Sequence, residues 1–292
     1  MVTDTPPGGE RRARAIRGAI RGAIRITPEP ALAGQDPAMI STAEQHRLIE
    51  TISKVVGDSL AKILPCSSRE AKNWGAEAVA AFFALYPRRP LSDNRGGSGF
   101  NDSLWLFAMA RAIAPRLIIE SGTHKGHSAW LFRKACPDAM VHSFDIAPER
   151  LSYREPGVTY HSHDWSETDL GKVDPARSLI FFDDHISHAA RIREAHARGF
   201  RLLLLDDNFP AHNLYATGGP PVPTLAMITD PDLAFDSDIT WFRKGKTYSY
   251  RYSADDVGDA RQLIADWMVL PDLAPLTRFP PGSALTFVRL DT

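Results

Sequence analysis

Two pairs of aspartates, Asp183 with Asp184 and Asp206 with Asp207, close the apolar runs "SLIFF" and "RLLLL". If those runs are neighbouring strands of one sheet, four carboxylates crowd one edge of it. Like charges that close are costly unless some protonate, point apart or share a cation. A divalent ion with oxygen ligands resolves the conflict, and Mg²⁺ is the default hard choice. The competing reading is that one Asp of each pair caps the helix that follows. His185 and His188 stand beside the first pair, and an imidazole near its ordinary pKa can take a proton from a hydroxyl.

A second group sits upstream, in "ESGTHKGHSA" over residues 120–129. Glu120 precedes Gly122 by two positions, and Gly126 follows four further on. Glycines there suit a tight turn, or a cradle in which a ligand approaches main-chain N–H groups that a Cβ would obstruct. Asp145, 25 residues after Glu120, ends another apolar run, where an acid accepts both hydroxyls of a ribose. Together these read as a site for a nucleoside-bearing cofactor. A nicotinamide cofactor fits less well: the spacing is G-x-x-x-G rather than G-x-G-x-x-G, and no tyrosine has the Lys four residues later that a short-chain dehydrogenase wants.

The elements that must position these groups are short apolar runs separated by helical stretches. Strands are expected over 116–121, 140–146, 158–164, 178–184 and 200–208, with helices over 128–135 and 187–198. Strands alternating with helices imply right-handed crossovers and a mostly parallel sheet. Ligands of such sheets bind beyond the carboxyl ends of the strands, which is where both groups lie.

Taken in order, "ESGTHKGHSA", "SFDI", "HDWSET", "FFDDH" and "LLLDDN" resemble the class I S-adenosylmethionine-dependent methyltransferases, and among them the metal-dependent O-methyltransferases of the catechol and macrocin types. The resemblance covers residues 96–210 well and the flanks poorly. It implies an α/β, doubly wound, mostly parallel seven-stranded sheet, Rossmann-like, with S-adenosylmethionine as cofactor. Glu120, Gly122, Gly126 and Ser128 would surround the methionine part of that cofactor, Asp145 its ribose, and Asp164 its adenine. For Mg²⁺ it offers two registers: Asp184, Asp207 and Asn208 by the catechol-type pattern, or Asp183, Asp206 and Asp207 by the macrocin-type one. The lysine base of the catechol type is replaced by Ser187, which leaves His185 as the candidate base and His188 as its alternative. The implied activity is methyl transfer to a hydroxyl of a sugar-containing or phenolic small molecule, and "HDWSET" with the missing lysine leans it to the sugar. Two other classes compete: a metal-dependent glycosyltransferase using a nucleotide-sugar, and a non-catalytic binding module of the same fold.

The flanks divide the chain into a basic extension (1–38), a helical cap (39–95) and the methyltransferase domain (96–292). "AIRGAIRGAIR" at 15–25 puts six arginines among residues 1–26, counting its neighbours, against Asp4 and Glu10. It reads as a frayed extension, or as a basic amphipathic helix making weak contact with a membrane surface. Capping-box patterns at Ser41/Glu44 and Ser67/Glu70 open two amphipathic helices, the second stopped by Pro87. The glycine-rich stretch 88–103 is a loop ending at Asp102 or Ser103 as N-cap, and a final strand is expected over 284–290. The chain holds 34 Lys plus Arg against 35 Asp plus Glu, so with the basic extension set aside the body is acidic and gives no reason to expect nucleic acid. No apolar run approaches the roughly 20 residues of a transmembrane span, no secretory h-region is present, and a cytoplasmic location is expected. Cys66 and Cys136, 70 residues apart, suggest neither a disulfide framework nor a zinc cluster.

Overall fold

In the computed structural model the described residues are 42–216 and 219–292. The Arg-rich repeat and Ser41 lie outside them. Helix α1 (Thr42–Ile63) and α2 (Ser68–Leu85) pack against each other. The expected capping box opens α2: the Glu70 N–H donates to Ser67 Oγ at 3.2 Å, and the Ser67 N–H donates back to the Glu70 carboxylate at 2.8 Å. Such a cap stabilises a helix by about 1 kcal/mol.

Helix α3 (Phe100–Ile113) begins three or four residues earlier than expected, after Gly99, which supplies no side-chain cap. Asp102 and Ser103 therefore sit inside the helix. The reason is Phe100, whose ring packs among those of Phe82, Phe83, Tyr86 and Phe279. Burying that side chain outweighs a polar cap further on, since a buried Phe contributes about 1.5–3 kcal/mol.

The main sheet then runs β1 (Leu117–Ser121), α4 (His127–Ala135), β2 (Met140–Phe144), β3 (Val158–His161), β4 (Ser178–Phe182), α5 (His188–Ala197) and β5 (Leu202–Leu205). Its strands lie in the order β3-β2-β1-β4-β5, all parallel. Beyond Pro210 the hairpin β6 (Ser237–Arg243) and β7 (Lys246–Tyr252) turns at Lys244 and Gly245 and forms a two-stranded sheet of its own. The main sheet is completed by β8 (Ile264–Val269) and β9 (Thr286–Leu290), with β9 inserted antiparallel between β5 and β8. Sequence reading passed over β8, whose "IADWMV" pairs with a register shift between Ile264 and Asp266 that breaks its alternation.

Alternate strand residues face two cores, as the period of two requires. Ile118, Leu179, Phe181, Leu204 and Phe287 share one with α1 to α4, so the two N-terminal helices pack in the same core as the sheet. Ile119, Ile180, Phe182, Leu203 and Val288 share the other with Ala189, Ile192 and Ala195 of α5. Among the described residues no helix is long and apolar enough to cross a membrane. Both cysteines are free, and Cys136 Sγ donates to the Ala110 carbonyl.

Candidate functional site

The parallel strands bring the carboxyl ends of β1, β2, β4 and β5 together, and every residue singled out above lies at or just beyond them, Asp164 past β3. Glu120 is wholly buried at the end of β1. Ser143 donates to one of its carboxylate oxygens; the Ser128 hydroxyl lies against the same group, but the second oxygen lacks a hydrogen bond of good geometry. Burial pushes the Glu120 carboxyl up to about 7, against the pull of the two serines, and Asp145 adds to the rise.

The glycines of the turn answer to the chain's own packing. Gly122 (φ +105°) has no room for a Cβ, which would run into the Asp183 carbonyl at the end of β4. Gly126 (φ +94°) is pressed in the same way against the Tyr153 carbonyl and starts α4. The close approach expected of a ligand is thus made by backbone at both positions. Asp145 closes the turn from the β2 side: one carboxylate oxygen accepts the His124 N–H and the other the Ala147 N–H, each at 2.7 Å. An ionised carboxylate has about four lone-pair sites, so two remain for a diol, and the residue fits a ribose.

Asp164 caps a short 3-10 turn, accepting from Ser166 N at 2.9 Å, and is held by Arg191 at 2.5 Å. Burial opposes its charge, but the Arg191 and Ser166 hydrogen bonds outweigh that and hold it at about 2. Arg191 is almost wholly buried, lies over the Phe182 ring, and also reaches Glu194 at 2.6 Å. Its Nη2 stands 2.7 Å from Asp184 Oδ2, an ion pair without hydrogen-bond alignment.

Of the two metal registers, the catechol-type one is taken up by other partners. Asp184 faces Arg191, and its other oxygen accepts the Ile186 N–H. Asn208 is buried, donating to Thr286 Oγ1 at 2.9 Å and accepting the Ala226 N–H at 2.7 Å. The other register gathers. Asp183 and Asp206 neighbour each other, and both are raised well above the carboxylate range, by desolvation first and then by neighbouring acids: Asp206 for Asp183, Asp207 and Asp102 for Asp206. Two partly buried carboxyl groups side by side hold a proton or want a cation, so their chemistry fits a divalent ion. Among the described residues no three His, Cys, Asp or Glu side chains already form a ligand set, and Asp207 would have to turn from its present partner to join them.

That partner is His185. Its Nδ1 lies 3.4 Å from Asp207 Oδ2, and both residues adopt left-handed backbone (φ +60° and +52°). The ring is half exposed, and Asp207 raises its pKa against the effect of burial. His188 is different: it is buried, its Nδ1 accepts the Leu225 N–H at 3.1 Å, and burial holds it at about 3. It is a neutral structural group. Both imidazoles border the small pocket lined by Asp183, Asp184, Asp206 and Asp207, and His185 is the half-exposed one.

No family model and no curated protein matches the chain. Solved structures similar to it include the SAH-bound Podospora anserina methyltransferase PaMTH1 (15% identity, TM-score 0.40, 100% of both chains covered). Others are the Bacillus cereus O-methyltransferase in complex with SAH (14%, 0.39, 84% of this chain and 100% of that one) and "cmcI-N160 SAH" (19%, 0.34, 42% and 75%). Likenesses this loose assign no residue. The sheet order with its one antiparallel strand decides the fold. It is the class I methyltransferase fold.

Within that fold, sequence reading missed three residues at the site. Arg191 carried a signal: it falls in the stripe His188, Ile192, Ala195 that α5 buries, where a charge demands partners. Asp102 was read as a helix cap. Ser283 lies in a Gly/Pro loop before β9 and carried no signal at all.

Proposed function

We propose that the chain is an S-adenosylmethionine-dependent O-methyltransferase, Mg²⁺-assisted, acting on a small-molecule hydroxyl that has an oxygen neighbour, such as a sugar diol or a catechol. The observation that carries this is the pairing, along one sheet edge, of a ribose-compatible acid at β2 with crowded, proton-hungry carboxylates at β4 and β5.

The cofactor's sulfonium methyl is already activated, so the chain's task is alignment. Glu120 and the β1–α4 turn form the floor, and Asp145 would accept the ribose hydroxyls. Asp183, Asp206 and Asp207 would hold Mg²⁺, which supplies the lowering of the acceptor hydroxyl's pKa and favours bidentate oxygen acceptors. His185 has its Nδ1 turned to Asp207, which leaves Nε2 to take the acceptor's proton. Asp207 thereby orients the base it adjoins. Asp164 acts through Arg191, setting the loop after β3 beside the loop after β4.

A screen with labelled cofactor, run in parallel on diol sugars, catechols and amines with and without chelator, tests the reading. Methylation of a vicinal oxygen pair, suppressed by chelator, is the expected outcome. Methylation of amines alone, or full activity in excess chelator, would overturn it.

A further inference from the structure

Three consecutive residues at the start of α3 grip one stretch of chain ahead of β9. Phe100 stacks on Phe279 with ring centroids 4.5 Å apart. Asn101 donates to the Pro280 carbonyl at 2.9 Å and accepts from Thr277 Oγ1 at 2.8 Å. Asp102 accepts the Ser283 N–H on both carboxylate oxygens, at 3.1 and 3.3 Å. Phe100, Asn101 and Asp102 are all buried, and a Cβ on Gly282 would run into Asp102. The segment is held from three sides, and what it fixes is Ser283. Its hydroxyl donates to Asp206 Oδ1, and Asp206 lies with Asp183 along the lining of the same small pocket.

We propose that Ser283 and Asp102 are positioning residues that aim the Asp206 carboxylate into the metal site. The proposal rests on the metal reading above. The buried Asp102 and the partly buried Asp206 stand near enough to repel each other. Ser283 offers its N–H to one and its O–H to the other, so each is satisfied and the two are held apart. With one oxygen of Asp206 accepting from the hydroxyl, the carboxylate is held about its side-chain torsions. Hydrogen bonds of this outer kind orient metal ligands, and losing one typically costs about 10–100-fold in metal affinity. A serine that only anchored its loop would use its N–H and leave its hydroxyl to solvent.

Calorimetric titration of the full chain with Mn²⁺, and separately with S-adenosylhomocysteine, tests this in the wild type, Ser283→Ala, Ser283→Thr and Asp102→Asn. Ser283→Ala should weaken Mn²⁺ binding about 10–100-fold with S-adenosylhomocysteine affinity unchanged. Ser283→Thr, which keeps the hydroxyl, should restore most of it, and Asp102→Asn should shift Mn²⁺ affinity in the same direction as Ser283→Ala. Wild-type Mn²⁺ affinity in Ser283→Ala would overturn the positioning role alone. Equal losses for both ligands would make Ser283 a general structural residue and overturn it too. A wild type that binds no Mn²⁺ removes the metal reading itself.

Discussion

The two ends of the site are built on opposite electrostatic plans. On the β1–β2 side single acids are matched to single donors: Asp145 takes two backbone N–H groups, and the turn's glycines are filled by neighbouring backbone. On the β4–β5 side Asp183, Asp206 and Asp207 crowd together, and two residues, His185 and Asp207, adopt left-handed backbone, against one, His124, in the turn after β1. Left-handed conformations in non-glycine residues cost about 1–3 kcal/mol each and cluster where a site stores strain for use. In the first region the acids do not crowd, and only the buried Glu120 is raised. The second is complete only with a proton or a cation.

The comparison breaks first at the seam between the regions. Gly122 belongs to the β1–α4 turn but packs on the Asp183 carbonyl, so Gly122→Ala should strain both sides at once. Backbone strain and overpacking together should cost about 2–5 kcal/mol, read as a lower denaturant midpoint. An unchanged midpoint would mean that the two turns are not in contact.

On the acceptor side, His185→Ala should reduce turnover about 10²-fold, the usual contribution of a positioned base, while S-adenosylhomocysteine affinity stays as it was. Turnover indifferent to this change would move the acceptor to a phenol acidic enough to need no base.

Glu120 sharpens the contrast from the cofactor side, because it is the one acid there whose charge is unwelcome. Its folded value of about 7 lies above the ordinary 4.5, so its contribution to stability is full below pH 4.5 and is lost as pH rises through 7. Glu120→Gln should therefore be more stable than the wild type at pH 8, on the order of 1–3 kcal/mol, and the advantage should vanish near pH 4. Parallel stability curves for the two proteins would show that the carboxyl is not buried.

The smallest effect separates the two metal registers. Asn208→Ala removes bonds to Thr286 and Ala226 and should cost about 1–3 kcal/mol of stability, with Mn²⁺ affinity unaltered. A loss of metal binding there would restore the catechol-type register.

What was legible in the sequence follows the same division. The five parallel strands and the turn after β1 could be read because short apolar runs and an acid after each are local signals. The capping box at Ser67 was legible for the same reason. The start of α3 was not, because burial of Phe100 among rings from α2 and the chain before β9 is decided by residues far away in sequence. The acceptor side was legible in type, since paired aspartates announce a charge problem, but not in register. Which Asp of each pair turns inward depends on Arg191 claiming Asp184 and on Thr286 claiming Asn208.

The account stands on the cofactor, and calorimetry with S-adenosylhomocysteine on the wild type and Asp145→Ala tests it most directly. Each ribose hydrogen bond to a charged acceptor is worth about 1.5–3 kcal/mol, so the wild type should bind one equivalent and Asp145→Ala should bind at least 10-fold more weakly. Equal affinity in the two would remove Asp145 from the site, and a wild type with no detectable binding would contradict the methyltransferase reading as a whole.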